Sequence, residues 1–464
     1  MRADYVVVGS GAMGMAFTDV LLSETDATVI LIDRHHRPGG HWNDAYPFVR
    51  LHQPSAFYGV NSKPLGSGAK DTVGWNAGLY ELASGAEVCA YFDQVMQQRF
   101  LPSGRVRYFP RCEHRGAGEF VSLPSGRELR AVARRKLVDA TYMNVQVPSV
   151  RGPFYAVGPG VRCVPPNALV HAERPASGYV VVGAGKTGID AVLWLLANDV
   201  EPEAITWIMP RDSWYLDRAT LQPAELFGGL IVGIAKQTEA IALAESIGDL
   251  FERVHACGQL LRLDDAVRPT MYRCATVTRA ELDQLRRVRN VVRRGRVKRI
   301  ERDRVELEQG TLPSDPERLY VDCSADGLAR RPVVPVFAGP RITLQSVRTC
   351  QQVFSAAFIA HVEASAADDA RKNELCAVVP HPNSDLDFLR TTLAYAQSTI
   401  RWAQEPGLAE WVARSRLDLF DAAALLARPD DPALVAAQQS LAKHMLPAIE
   451  KLRSLLASAD QRAQ

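Results

Sequence analysis

Tyr5–Gly14 reads YVVVGSGAMG, and Tyr179–Gly188 reads YVVVGAGKTG. Each is a short apolar run, suited to a buried strand, that ends in the spacing GxGxxG. In such a turn the first glycine permits a tight bend and the second lets the backbone approach a pyrophosphate. The third allows the following helix to pack closely on the strand. The free N–H groups and positive dipole end of that helix then face the phosphates. The two copies predict two dinucleotide-binding βαβ units in one chain, with Gly9, Gly11 and Gly14 in the first turn and Gly183, Gly185 and Gly188 in the second.

Working outward, the first copy continues into a helix over Ala12–Ser23 and a strand over Ala27–Asp33. Asp33, followed by Arg34, stands about 20 residues past the turn, where an acid can hold a ribose 2′-hydroxyl. The second copy continues through a helix to the strand Ile205–Met209, but then presents Arg211 in place of an acid. A planar guanidinium there can pair with a 2′-phosphate, which favours NADPH over NADH. The other reading is a surface salt bridge from Arg211 to Asp212 or Asp217. A chain holding two dinucleotides usually passes a hydride from a nicotinamide to a flavin. A flavin and a nicotinamide dinucleotide, with NADPH in the second unit, are therefore the expected cofactors.

The length of 464 residues accommodates roughly two to four domains. The 54 Lys and Arg residues nearly cancel 52 Asp and Glu, so nothing calls for nucleic acid as a partner. The most basic stretch, Arg286–Arg304, alternates with Val and Ile and includes Glu301 and Asp303. It reads as a helix end followed by strands with solvated faces, with an anion-binding patch as the alternative. The 8 cysteines show no CxxC pair and no zinc spacing with histidine, which predicts reduced thiols, a cytoplasmic protein and no metal site. A strand that begins by Tyr5 leaves no room for a signal peptide. The most apolar segment, Leu226–Ala235, is about half of a bilayer span, so no membrane role is expected.

The order of elements predicts an α/β fold: two Rossmann-like, doubly wound dinucleotide-binding domains with a helical C-terminal region. The expected divisions are 1–172 for the first part of the FAD-binding domain and 173–330 for the NAD(P)H-binding domain with a helical insert from Pro223 to about Leu263. Residues 331–385 return to the FAD-binding domain, and 386–464 form a helical cap. Between the glycine turns, VRYFP and EFVSLPSG look like a strand pair. Val336–Ala364 reads as a strand and turn leading into a buried helix.

These residues resemble the two-dinucleotide flavoproteins and, within them, the flavin-containing monooxygenases and their Baeyer–Villiger relatives. The resemblance rests on GSGAMG followed by LIDRHHRPGGHW, on AYP shortly afterwards, and on VVVGAGKTGIDA. It implies that Gly9, Gly11 and Gly14 bind the FAD pyrophosphate, that Asp33 binds the adenosine ribose, and that Gly39, Gly40 and Trp42 line the flavin. It implies NADPH at Gly183, Gly185 and Gly188. It also implies oxygenation of a small organic metabolite through a C4a-(hydro)peroxyflavin, with molecular oxygen as co-substrate. The family's FxGxxxHxxxW/Y fingerprint is represented only by His171, which leaves open an NAD(P)H-dependent flavin oxidoreductase that transfers no oxygen.

The segment Gly39–Gly66 has no clean period and concentrates polar and aromatic residues, as binding loops on a rigid scaffold do. His52 and Gln53 are the candidate catalytic residues, as hydrogen-bond donors beside the isoalloxazine. The alternatives are a loop-capping role for His52 and plain core packing for Trp42. Lys186, inside the second turn, is a candidate phosphate ligand, with a solvated lysine as the alternative. Arg348 and Gln351 precede a helix whose N-terminus would face the flavin, where a cation would stabilise its reduced form; a salt bridge at a domain interface is the other reading of Arg348. Cys350 reads as a small buried apolar residue. The C-terminal helices would cover a substrate channel or support a homodimer.

Overall fold

Arg2–Val8 is apolar at nearly every position because both faces of the strand are covered. The computed structural model describes residues 1–173, 175–325, 327–328, 331–366, 368–420 and 430–463. In it this strand is central to a six-stranded sheet ordered Phe337–Ala338, Arg341–Thr343, Val132–Asp139, Arg2–Val8, Val29–Ile32 and Val106–Phe109. All neighbours run parallel except the hairpin formed by the first two strands. Helix Ala12–Glu24 packs on helix Gln352–Ser365. The latter is buried at every residue from Val353 to Ala360, as a helix apolar all round must be. A segment distant in sequence thus completes the first unit.

The second unit repeats the plan in a five-stranded sheet ordered Asn290–Val292, Ile205–Ile208, Tyr179–Val182, Leu319–Asp322 and Arg162–Val164, all parallel. A meander over Val297–Ile300, Arg304–Leu307 and Gly310–Pro313 adds Ala156–Val157 at its edge. The chain therefore enters the second unit before residue 156, and not at the expected boundary of 172. The basic run lies on this meander and its approach. Arg286 donates to the carbonyls of Leu263 and Arg262, Arg293 pairs with Asp212, and Arg299 pairs with Glu301. Its charges serve local structure.

The insert does not stay within the second unit. Helices Gly228–Ala242 and Ile247–Ala256 pack with Asp385–Ala403 and the long C-terminal helix Pro432–Ala463. Their shared core holds Trp214 stacked on Phe251 at 5.3 Å, with Phe388 and Leu452. A parallel strand pair, Ser213–Asp217 with Met271–Val277, carries the insert away from the second sheet. Within the expected cap 386–464, residues 421–429 and 464 lie outside the described ones.

Two expectations are corrected here. VRYFP and EFVSLPSG do not pair with each other. Val106–Phe109 joins the large sheet while Glu119–Ser122 pairs with Cys112–Gly116 and Glu128–Arg130. The thiols are not all reduced. Cys274 and Cys350 form a disulfide with Cα atoms 6.5 Å apart, which also removes Cys350 from the role of a simple apolar filler. The fold brings together two cysteines that their spacing in the sequence does not relate.

Candidate functional site

A cavity of about 1320 Å³ reaches from the first glycine turn to the second, and its lining includes Gly9, Gly11, His52, Gly185 and Lys186. That exceeds the roughly 300–1,000 Å³ usual for a single small-molecule pocket. The glycines explain why the backbone can form its two ends. A Cβ on Gly14 would lie 1.9 Å from the Gly9 carbonyl oxygen, and one on Gly188 would lie 2.1 Å from that of Gly183. The third glycine in each turn is thus required by packing, and neither lines the cavity. A Cβ on Gly40, at φ 57°, would come within 2.9 Å of the Gly11 Cα, so these two backbones close on each other. Neither helix after a glycine turn has a side-chain cap, which leaves its first N–H groups open toward the cavity.

At the first end Asp33 is buried and heavily hydrogen-bonded. It accepts from the Ser10 hydroxyl at 2.8 Å and the Ser10 N–H, and from the His35 N–H at 2.7 Å. Burial alone would raise its pKa, but the bonds from His35 and Ser10 hold it below the usual carboxylate range. His35 is clamped between Asp33 and Asp44, with ring nitrogens at 3.0 and 2.8 Å from their oxygens. The Asp33 bond, opposed by burial and reinforced by Asp44, raises the His35 pKa above its ordinary 6.5. Because the folded value is the higher one, this contribution to stability is complete below about pH 6.5 and is lost as pH rises through the folded value. The protein's resistance to urea should fall from that point upward, and His35→Gln should flatten the dependence; parallel curves would refute the clamp. Arg34 is exposed at the cavity rim.

The loop from Gly39 to Gly66 crosses from the first unit to the second. Tyr46 donates to Asp190 at 2.7 Å, and Phe48 stacks on Trp194 at 5.3 Å. Lys186 forms an ion pair with the same Asp190, which holds its ammonium at the second turn. The Trp42 indole donates to the Tyr58 hydroxyl at 2.7 Å while its ring lines the cavity. The His52 carbonyl accepts from the Arg218 guanidinium at 3.1 Å, which is itself 2% exposed and tied to Glu281, Asn76 and the Thr276 carbonyl. That network fixes where the His52 ring stands.

His52 is half-buried and lines the cavity, and its ring Nδ1 is itself buried without a hydrogen-bond partner. Burial, then the charges of Lys186, Arg218 and His381, push its pKa down to about 3, so it is a neutral imidazole at ordinary pH. Gln53 lines the cavity beside it. Two further orphaned atoms, Gln351 Oε1 and Gln352 Nε2, belong to cavity-lining residues at the start of helix Gln352–Ser365. His114 Nε2, on the strand Cys112–Gly116, is a fourth, toward the Asp33 end. Nothing local in the sequence marks His114 or Arg218, because each reaches the site from a distant element.

Other candidates stand apart. Gly183 and Arg211 do not border the cavity. Arg211 donates to Asn383 at 3.2 Å, while Asp212 and Asp217, its alternative partners, are taken by Arg293 and Arg279. For Arg348 the structure shows the salt bridge that is its other reading. Arg348 is 3% exposed, ion-paired with buried Asp418, and its guanidinium lies 4.3 Å from the Phe354 ring centroid and 4.9 Å from that of Trp402. An arginine needs a counter-charge when buried, and Asp418 supplies it; Arg348 itself does not line the cavity.

Fold and cavity together define a two-dinucleotide-binding protein of the α/β class, with the flavoprotein arrangement expected from the doubled glycine turn. Residues 7–58 match the model of the NAD(P)-binding Rossmann-like domain. The structure is similar in fold to a polycyclic ketone monooxygenase from the thermophilic fungus Thermothelomyces thermophila, with a TM-score of 0.53 and 14% identity, covering 97% of this chain and 88% of that one. The chain belongs to one family with the proteins called uncharacterized protein Rv2000 of Mycobacterium tuberculosis strain H37Rv and uncharacterized protein Mb2023 of Mycobacterium bovis. It is 55% identical to each over 425 residues, 90% of this chain and 78% of theirs. Among the described residues no helix is long and apolar enough to cross a membrane.

Proposed function

We propose that the protein is a FAD- and NADPH-dependent oxidoreductase that oxygenates a small organic molecule. The observation that carries this reading is the single cavity that joins both glycine turns past His52. The residues present fit FAD. A glycine cradle that a Cβ would fill stands near one end, and unpartnered polar atoms stand both there (His114) and further in (His52, Gln351, Gln352). A long ligand with polar groups along its length would satisfy them. The turn at Gly9 and Gly11 would hold its pyrophosphate, Asp33 its ribose, and Trp42 would flank the ring system.

FAD, when bound, supplies two-electron transfer between the nicotinamide and a second substrate. The chain's own contribution is position and exclusion of water. Neutral His52 offers one ring nitrogen for a hydrogen bond without bringing a strong acid to the site. Apolar side chains from the helical body, among them Leu230, Ile234, Phe388 and Tyr395, form the far wall and keep water out. Gly185 and Lys186 would meet the NADPH pyrophosphate.

Arg211, at the end of the strand Ile205–Ile208, is the candidate for the 2′-phosphate. Arg211→Ala should raise KM for NADPH by roughly tenfold or more, consistent with the loss of a charge-assisted bond, and leave KM for NADH nearly unchanged. Equal effects on both would remove the assignment.

A second reading, flavin-dependent hydride transfer without oxygenation, is favoured by the position of His171. That residue is exposed and outside the cavity, so the residue nearest to the monooxygenase fingerprint does not reach the site. NADPH-driven turnover under ¹⁸O₂ with a panel of ketones, amines and sulfides separates the two. Label in the product supports oxygenation. Peroxide as the only oxygen product, with every compound tried, supports the second.

A further inference from the structure

The Cys274–Cys350 disulfide stands on the wall of the same cavity, and the reading above gives it no role. Its halves come from different elements. Cys274 lies in the strand Met271–Val277, which follows the insert, and Cys350 lies in the turn that leads into helix Gln352–Ser365.

The backbone is bent at both cysteines. Their φ angles are 56° and 57°, in the left-handed region that residues with a Cβ seldom occupy. The pairing of Met271–Val277 with Ser213–Asp217 also slips between Trp214↔Tyr272 and Leu216↔Thr276, so the strand bulges around Cys274. Bulges re-aim side chains, and this one turns the cysteine of the strand Met271–Val277 toward a cysteine of the first unit. A staple between two units requires no place on a cavity wall, yet both residues line it. The pair is also unequal, since Cys274 is 7% exposed and Cys350 is more open to the cavity. Arg218 binds the Thr276 carbonyl, two residues from Cys274, and the His52 carbonyl, which ties this strand to the candidate catalytic loop.

We propose that Cys274 and Cys350 form a redox-active disulfide that accepts two electrons from the flavin, so that the loaded protein holds two two-electron acceptors. The inference rests on the FAD and NADPH reading given above. In the step the S–S bond breaks, two electrons and two protons enter, and two S–H groups form. The electrons come from reduced flavin, which returns to its oxidised form, and NADPH is the donor that refills it.

The test is an anaerobic NADPH titration of the FAD-loaded full chain, with thiols counted by alkylation and intact mass. The expected result is an uptake of about four electrons per flavin, one pair for each acceptor. Thiols should rise from the six free cysteines among the described residues to all 8 in the chain. Cys350→Ser and Cys274→Ser should each limit uptake to about two electrons. Flavin that bleaches fully while the thiol count stays constant would overturn the inference and leave the cofactor reading standing. So would an oxidised protein that already exposes every thiol. Light-driven reduction of the bound flavin, with EDTA as donor, distinguishes the two failures: two new thiols without any response to NADPH would keep the inference and remove NADPH as donor. A chain that binds no flavin would overturn both. Should either variant fail to fold, the thiol count of the unaltered protein still decides.

Discussion

Gly14→Ala is expected to lower the melting temperature by about 8 °C and to abolish FAD retention. The new methyl would sit 1.9 Å from the Gly9 carbonyl oxygen and 3.2 Å from the Ala140 Cβ, so helix Ala12–Glu24 must back away from its strand. Overpacking of this kind costs about 3 kcal/mol, and roughly 2–4 °C accompanies each kcal/mol in units of this size. The comparison that gives the result meaning is Gly185→Ala, where an added Cβ meets nothing within 4 Å. That variant should melt within about 1 °C of the parent, because the new methyl occupies open space, and its loss should appear in NADPH affinity alone. If both alanines cost the same stability, the division into a packing glycine and a phosphate-approach glycine is wrong.

Arg348→Met is expected to destabilise the protein by about 3–5 kcal/mol in urea unfolding, because it leaves the Asp418 carboxylate buried without its counter-charge. Burial already pushes the Asp418 pKa up, and Arg348 is the charge that opposes it. The guanidinium also lies 5.1 Å from the centroid of the Tyr395 ring, in addition to those of Phe354 and Trp402. An apolar methionine would keep some of that packing but none of the charge. Arg348→Met with Asp418→Leu should recover most of the loss, since an apolar pair leaves no orphaned charge. A single variant of normal stability that fails to bind flavin would restore the cofactor role expected from the sequence.

Those two outcomes also mark how far the sequence can be read. The glycine turns were legible because their constraint is local: a helix that follows a strand at that spacing excludes a Cβ at Gly14 and Gly188 whatever surrounds it. Asp33 and Lys186 were legible for the same reason, being fixed by their distance from a turn. Arg348 was not, because its partner Asp418 follows it at long range through a helical body whose packing no local pattern encodes. Arg218 and His114 carry no motif; His114 lines the cavity and Arg218 reaches the His52 loop only after separate elements fold together. The cysteines were misread on spacing alone, since the bulge at Cys274 and the turn at Cys350 are what bring them together.

The buried helix Gln352–Ser365 also orders events in time. The strands of the second sheet all lie between Arg162 and Asp322. The first sheet needs strands from before and after that span, Arg341–Thr343 among the latter, and a helix that follows them. A nascent chain that has emerged as far as residue 330 therefore holds every strand of the second unit, while helix Ala12–Glu24 still waits with its apolar face uncovered. Of the two sheets, the one encoded first closes second, and in the interval between them its apolar surface is open to aggregation.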